Sequence, residues 1–145
     1  MKYTRRDLPK LLSALAAVPA ATGAEEKMLE VKTFDYNSLQ VKVNPQTQNE
    51  SRGVLEGFTH NGFHVGMHMT KLAPGQMPHA PHHHSHEEIL MLHRGTVEAM
   101  YGDGKKVRLT APSSLWMASN VEHVWKNVGN EPAEYFVVEL GKGQP

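Results

Sequence analysis

Residues 81 to 95 read Pro-His-His-His-Ser-His-Glu-Glu-Ile-Leu-Met-Leu-His-Arg-Gly, and one further histidine, His123, stands downstream. Neutral imidazole and ionised carboxylate bind first-row divalent metals without thiolate, and the chain has no Cys to offer. The chemistry within reach is that of a borderline to hard cation.

Spacing selects among these donors. Side chains two apart in extended structure share a face. His82 and His84 can therefore point the same way while His83 points away, and Glu88 keeps their parity if residues 85–87 make a short bend. From Glu88 the run Ile89, Leu90, Met91, Leu92 is apolar on both faces, as expected of a strand buried between two layers, and it stops at Arg94-Gly95, where Gly95 makes the turn.

These residues resemble the first signature of the cupin superfamily: Gly, a five-residue spacer, His-x-His, three or four residues, Glu, six residues, Gly. Here Gly75 is followed by six residues instead of five, then His82-x-His84, three residues, Glu88, six residues and Gly95. The second signature, Gly, five residues, Pro-x-Gly, two residues, His, three residues, Asn, is matched at His123 and Asn127. Pro112 stands at the opening Gly, Ala118 replaces the Pro and Asn120 replaces the Gly; Asn is the non-Gly residue that best tolerates a left-handed turn. The resemblance covers about Gly57 to Leu140. It implies metal ligands at His82, His84, Glu88 and His123, and an all-β cupin jelly-roll (double-stranded β-helix) barrel in a single domain.

A solvated, nonspecific metal-scavenging His tract is the plainer reading of His79 to His86. Against it stands context: His123 opens a second alternating run, Val124-Trp125-Lys126-Asn127. His79, His83 and His86 read as surface or supporting residues and His93 as a strand-end residue, with His86 on Glu88's parity and within reach of a pocket rim. His64 and His68 share parity on the preceding strand and could face the cup, although they read first as satisfied or exposed. Trp116, Met117, Met67, Met69 and Met100 read as ordinary core.

At 145 residues, with 39% hydrophobic content, one domain with one core is expected. Acidic and basic residues number 15 each, and the body of the chain carries no basic stripe, which argues against nucleic acid as a partner.

The N-terminus stands apart. Thr4-Arg5-Arg6-Asp7-Leu8-Pro9-Lys10 resembles the bacterial twin-arginine export motif, and a mildly apolar stretch from Leu11 to Ala20 ends in the small residues Thr22-Gly23-Ala24. That stretch is shorter than the roughly twenty residues that span a bilayer, so no stable membrane span is expected. Residues 1–24 thus read as an export signal, directing the protein to the periplasm or outside the cell; an amphipathic N-terminal helix is the rival. Removing them takes away Lys2, Arg5, Arg6 and Lys10 against Asp7, leaving a mildly acidic chain.

Residues 25–55 read as an N-terminal arm with edge strands at Val31 to Asp35 and Leu39 to Val43, and 56–145 as the barrel. Short strands are expected at 54–59, 63–72, 88–92, 96–101, 105–110, 115–118, 123–128 and 135–140. Turns are marked by Asn61-Gly62, Pro74-Gly75, Gly102-Asp103-Gly104 and Gly129-Asn130. Leu90, Leu92, Trp125, and Val137 or Phe136, would form an apolar cup round the metal.

Two functions follow from the resemblance. One is a metal-dependent enzyme of dioxygenase, decarboxylase or isomerase type acting on a small organic substrate. The other is a noncatalytic binding or sensing module that its metal holds together. Folding before export favours manganese or iron as the divalent ion, with zinc, nickel or copper as the other candidates. An arm with Leu29, Val31, Phe34 and Leu39 to bury suggests a homodimer by strand exchange.

Overall fold

The computed structural model describes residues 27–142, so the expected export segment at 1–24 lies outside the described residues. Among the described residues nine strands form: β1 (Lys42–Val43), β2 (Glu50–Phe58), β3 (His64–Leu72), β4 (Glu87–Arg94), β5 (Thr96–Tyr101), β6 (Lys105–Thr110), β7 (Ser113–Met117), β8 (His123–Asn127) and β9 (Ala133–Gly141). All pair antiparallel, in a six-stranded sheet of order β1-β2-β3-β9-β4-β7 and a three-stranded sheet of order β6-β5-β8. This is the expected all-β jelly roll, in one domain.

Period-two alternation builds the core. On β4, Glu88, Leu90 and Leu92 are buried and face the other sheet. Val137 and Tyr135 of β9 and Leu72 of β3 lie beside them, and Val97, Ala99 and Trp125 close the core from the three-stranded sheet. Each fully buried Leu contributes about 1.5–3 kcal/mol relative to an exposed one.

The expectation that β4 is covered on both faces is corrected. Ile89 is only half-buried and Met91 is exposed, because no second sheet among the described residues covers that side of the six-stranded sheet. Instead an apolar row runs across it: Trp116 opposite Ile89, Ile89 opposite Val138, Val138 opposite Met67, and Met67 opposite Leu55. Trp116, expected in the core, is 52% exposed at the edge strand β7, whereas Met117, one residue on, is buried. Val137, not Phe136, points inward; the Phe136 ring lies on the outer face, 4.9 Å from Tyr36 of the arm.

The arm also departs from expectation. Val31 to Asp35 forms no strand, because Asp35 instead caps a 3-10 turn over Tyr36–Ser38, its carboxylate accepting from the Asn37 amide at 3.0 Å. Such local side-chain bonds compete with sheet pairing. The expected Leu39 to Val43 strand shortens to β1. The strand expected from Val54 begins at Glu50, so β2 runs across the 55/56 position at which the sequence separates arm from barrel. Near its start the arm hydrogen-bonds its own β2, the Leu29 amide donating to the Phe58 carbonyl and the Phe58 amide to that of Lys27.

Two turns matter for the site. Gly95 has φ of +83°, and a Cβ there would lie 2.8 Å from Ala133 Cα, so both backbone angle and space require glycine. Asn120 occupies the left-handed region at φ 59°, as its place in the second signature requires, and its amide donates to the His84 carbonyl at 2.7 Å.

Candidate metal centre

The four expected donors come from three places in the chain. Glu88 opens β4 in the six-stranded sheet, His123 opens β8 in the three-stranded sheet, and His82 and His84 lie on the segment between β3 and β4. That segment is tied to β8: His82 and His123 form an antiparallel bridge, each amide donating to the other's carbonyl at 3.2 and 2.8 Å. The donors therefore converge from both sheets.

The three imidazoles stand 4.9 to 5.3 Å apart between ring centroids. One ligand atom from each of His82, His84 and His123 lies within 4.8 Å of the others, and a second such group joins His84, His86 and Glu88. His123 Nε2 is 3.1 Å from Glu88 Oε2, and His84 Nε2 is 3.1 Å from Glu88 Oε1. The His123 and Glu88 side chains are buried and that of His84 nearly so. His83 is exposed, as its parity predicts.

Backbone contacts fix the orientation of two rings. His84 Nδ1 lies 2.9 Å from the His86 carbonyl and His123 Nδ1 lies 2.7 Å from the Val121 carbonyl. A carbonyl only accepts, so each Nδ1 carries the proton and donates it. In the neutral ring Nε2 then presents a lone pair, and both Nε2 atoms lie 3.1 Å from a Glu88 oxygen. Acceptors held against acceptors need a cation among them, either a proton or a metal ion.

The donor set fits a metal. His82 Nδ1, His84 Nε2 and His86 Nε2 are buried and without a hydrogen-bond partner; His84 Nε2 is near Glu88 but not aligned with it. A 3.1 Å separation between donors is close to the roughly 3.0 Å edge of an octahedron with bonds near 2.1 Å. His82, His84, Glu88 and His123 would hold such an ion, which supplies Lewis-acid or redox chemistry and keeps further positions for a ligand.

Electrostatics in the ion-free protein follow from the same contacts. Burial pushes the Glu88 carboxyl up, but the His123 hydrogen bond and the charges of His84, His123 and His86 together outweigh it and hold it below the ordinary value. Burial pushes His123 down, and this is outweighed by the Glu88 hydrogen bond, the Val121 carbonyl and the Glu88 charge, leaving it raised. His82 is lowered, first by burial and then by the neighbouring imidazoles.

His82, His84 and Glu88 line a cavity of about 250 Å³. Trp125 and Val137 supply the expected apolar lining, while Leu90 and Leu92 are buried in the core. Four imidazole and carboxylate residues on this wall lie outside the expected ligand set: His68, His79, His86 and Glu139. His86 stacks on His84 at 3.6 Å. His68 lines the cavity and pairs with Glu139, its Nδ1 3.5 Å from Glu139 Oε1, whereas His64 turns to Glu56. Glu139 was legible: Ala133, Tyr135 and Val137 alternate inward on β9, and 139 is the next inward position. His79 lines the cavity too, its ring 4.1 Å from His82.

Residues 68–139 match the family model described as "Cupin domain". No curated protein matches the chain. Among solved structures, an RmlC-like cupin from Shewanella frigidimarina superposes with a TM-score of 0.61 at 16% identity, covering 80% of this chain and 95% of that one. A predicted oxalate decarboxylase from Thermotoga maritima superposes with a TM-score of 0.64 at 20% identity, covering 76% and 99%. The polyketide cyclase RemF from Streptomyces resistomycificus gives 0.59 at 10% identity, covering 80% and 87%. The matched segment contains all four expected donors and supports the cupin superfamily, while these neighbours show the fold, a cupin jelly roll.

Proposed function

We propose that this protein is an exported, metal-dependent cupin enzyme acting on a small organic acid, phenolic or sugar-derived substrate, its ion held by His82, His84, Glu88 and His123. The observation that carries the reading is the set of buried, unpartnered imidazole nitrogens around one carboxylate at the wall of a cavity sized for a small molecule. The neighbouring structures include a predicted oxalate decarboxylase and a polyketide cyclase, which is consistent with such chemistry on this fold and does not choose among its types. Export rests on Thr4 to Lys10 and the apolar stretch after it. Twin-arginine export of a folded chain would load manganese or iron before copper or zinc is met.

The convergence of donors from both sheets also favours a second reading, a noncatalytic module in which the ion staples the barrel. Metal analysis of protein purified from the periplasm, followed by a substrate screen with oxygen uptake, separates these. About one manganese or iron per chain with turnover supports the enzyme. Dominance of copper or zinc overturns the choice of ion, and tight metal binding without turnover of any substrate class favours the module.

A further inference from the structure

Glu139 is the direct Cα partner of Glu88 across the ladder between β9 and β4, and both line the cavity. Directly opposed residues of an antiparallel pair have Cβ atoms about 4.5–5.5 Å apart, and like charges there repel. Glu88 has His84 and His123 to balance it. Glu139 has His68 Nδ1 at 3.5 Å and His86 Nε2 at 3.9 Å. Only a protonated ring supplies charge, so with neutral imidazoles two carboxylates share one cavity wall.

His86 is the second observation. Its Nε2 is buried without a hydrogen-bond partner and lies between the two carboxylates, 3.6 Å from Glu88 Oε1 and 3.9 Å from Glu139 Oε2. A tetrahedral ion with bonds near 2.1 Å holds its donors about 3.4 Å apart, so these gaps need to close by only a few tenths of an ångström. Stacking on His84 limits how far the ring can swing away.

We propose that the cavity carries a second, weaker divalent-cation subsite formed by His86, Glu139 and His68, with Glu88 shared between it and the first site. Two ions bridged by one carboxylate would neutralise the opposed pair. The proposal rests on the first site being a metal centre, and it places the second ion on the substrate side, where a small anionic ligand could bridge both.

The test titrates metal-stripped full-length protein with manganese chloride or zinc chloride alone, following heat and bound metal, on the wild type, Glu139→Gln, His68→Asn and His123→Ala. Two binding events are expected in the wild type. In Glu139→Gln the weaker event weakens at least 10-fold or disappears while the tighter one stays within about threefold, and His68→Asn weakens the same event. Far-UV circular dichroism confirms that each variant is folded, and anomalous diffraction from manganese-soaked wild-type crystals provides an independent readout. A single ion in the wild type, lost in His123→Ala and kept in Glu139→Gln, overturns the subsite and leaves the proposed function standing. Two ions retained in Glu139→Gln also overturn it, assigning the second to surface histidines. No bound ion in the wild type overturns both.

Discussion

Glu88 and Glu139 occupy opposed positions on adjacent strands, yet their surroundings divide their roles: one carboxylate is enclosed by the rings of His84 and His123, the other is held at the cavity by His68. Replacing each by Gln should therefore give different outcomes. Glu88→Gln should lower the affinity of the tight metal site at least 10-fold, within the range expected when a charged ligand or its close support is lost. Glu139→Gln should leave that site nearly intact. Metal content after gel filtration measures both.

His123 takes its place from β8 and reaches across to a carboxylate on β4, so the ion is bound by both sheets. A ligand at a thousand times its dissociation constant stabilises the folded state by about 4 kcal/mol. Thermal melting of wild-type protein should accordingly shift down when chelator is added. His123→Ala should show no such shift, and a retained shift would count against His123 as a ligand.

Acidity acts on the same pair. In the ion-free protein Glu88 is lowered and His123 raised. The contribution of Glu88 is present above its unfolded value and lost as pH falls through its lowered folded value. That of His123 is full below its unfolded value near 6.5 and lost as pH rises through its raised folded value. Their mutual stabilisation therefore peaks in the mildly acidic window between the two. A metal ion must displace the His123 proton, so its affinity should rise with pH through that raised value. Calorimetric titrations at a series of pH values should show proton release that diminishes once His123 is deprotonated.

Asn127 lies four residues beyond His123 and is fully buried. Its Nδ2 donates to the Leu72 and Glu131 carbonyls at 3.0 and 2.8 Å, and its Oδ1 accepts from the Gly129 amide at 2.9 Å. Asn127→Leu strips three hydrogen bonds, that to the Leu72 carbonyl fully buried and the other two part-buried. Urea unfolding should register a loss of about 2–5 kcal/mol, from roughly 1–3 kcal/mol for each buried group left unsatisfied.

The two tryptophans report on different places. Trp116 is exposed, while Trp125 is buried with its ring 5.0 Å from that of His123. In Trp116→Phe, whose stability should change by less than about 0.5 kcal/mol as a surface substitution, emission from Trp125 should resist acrylamide. Binding of a paramagnetic ion such as copper(II) or manganese(II) should quench it, and zinc should not. Unchanged emission on saturation with copper(II) would place the ion elsewhere.

The barrel was legible from alternation and turn residues, while the candidate donors His82, His84, Glu88 and His123 came from the resemblance to the cupin signatures, and the fold draws them together. Alternation fixed which of His82, His83 and His84 share a face, and the Asn120 turn followed from the backbone freedom of Asn. The unexpected features depend on relations between distant segments. Trp116 looks like a core residue until β7 proves to be a sheet edge. Phe136 and Val137 are equivalent in composition, and only register against β4 decides which points inward. His68 and Glu139 pair across β3 and β9, so neither announced the other in the sequence. The arm failed as a strand where Asp35 and Ser38 form bonds of their own with the nearby backbone.

The passage from Gly75 to His84 is laced to β8 at both ends. The Gly75 amide donates to the Asn127 carbonyl, the Asn127 amide to the Gln76 carbonyl, and His82 and His123 exchange their pair. Between these anchors Met77 to Pro81 makes no ladder with β8 and bows free of it. An additional amino acid in the spacer lengthens only the bow, which explains how six residues stand where five are usual without shifting His82 out of register. The same slack makes this stretch the natural place for insertions that reshape the mouth of the barrel while its floor stays put.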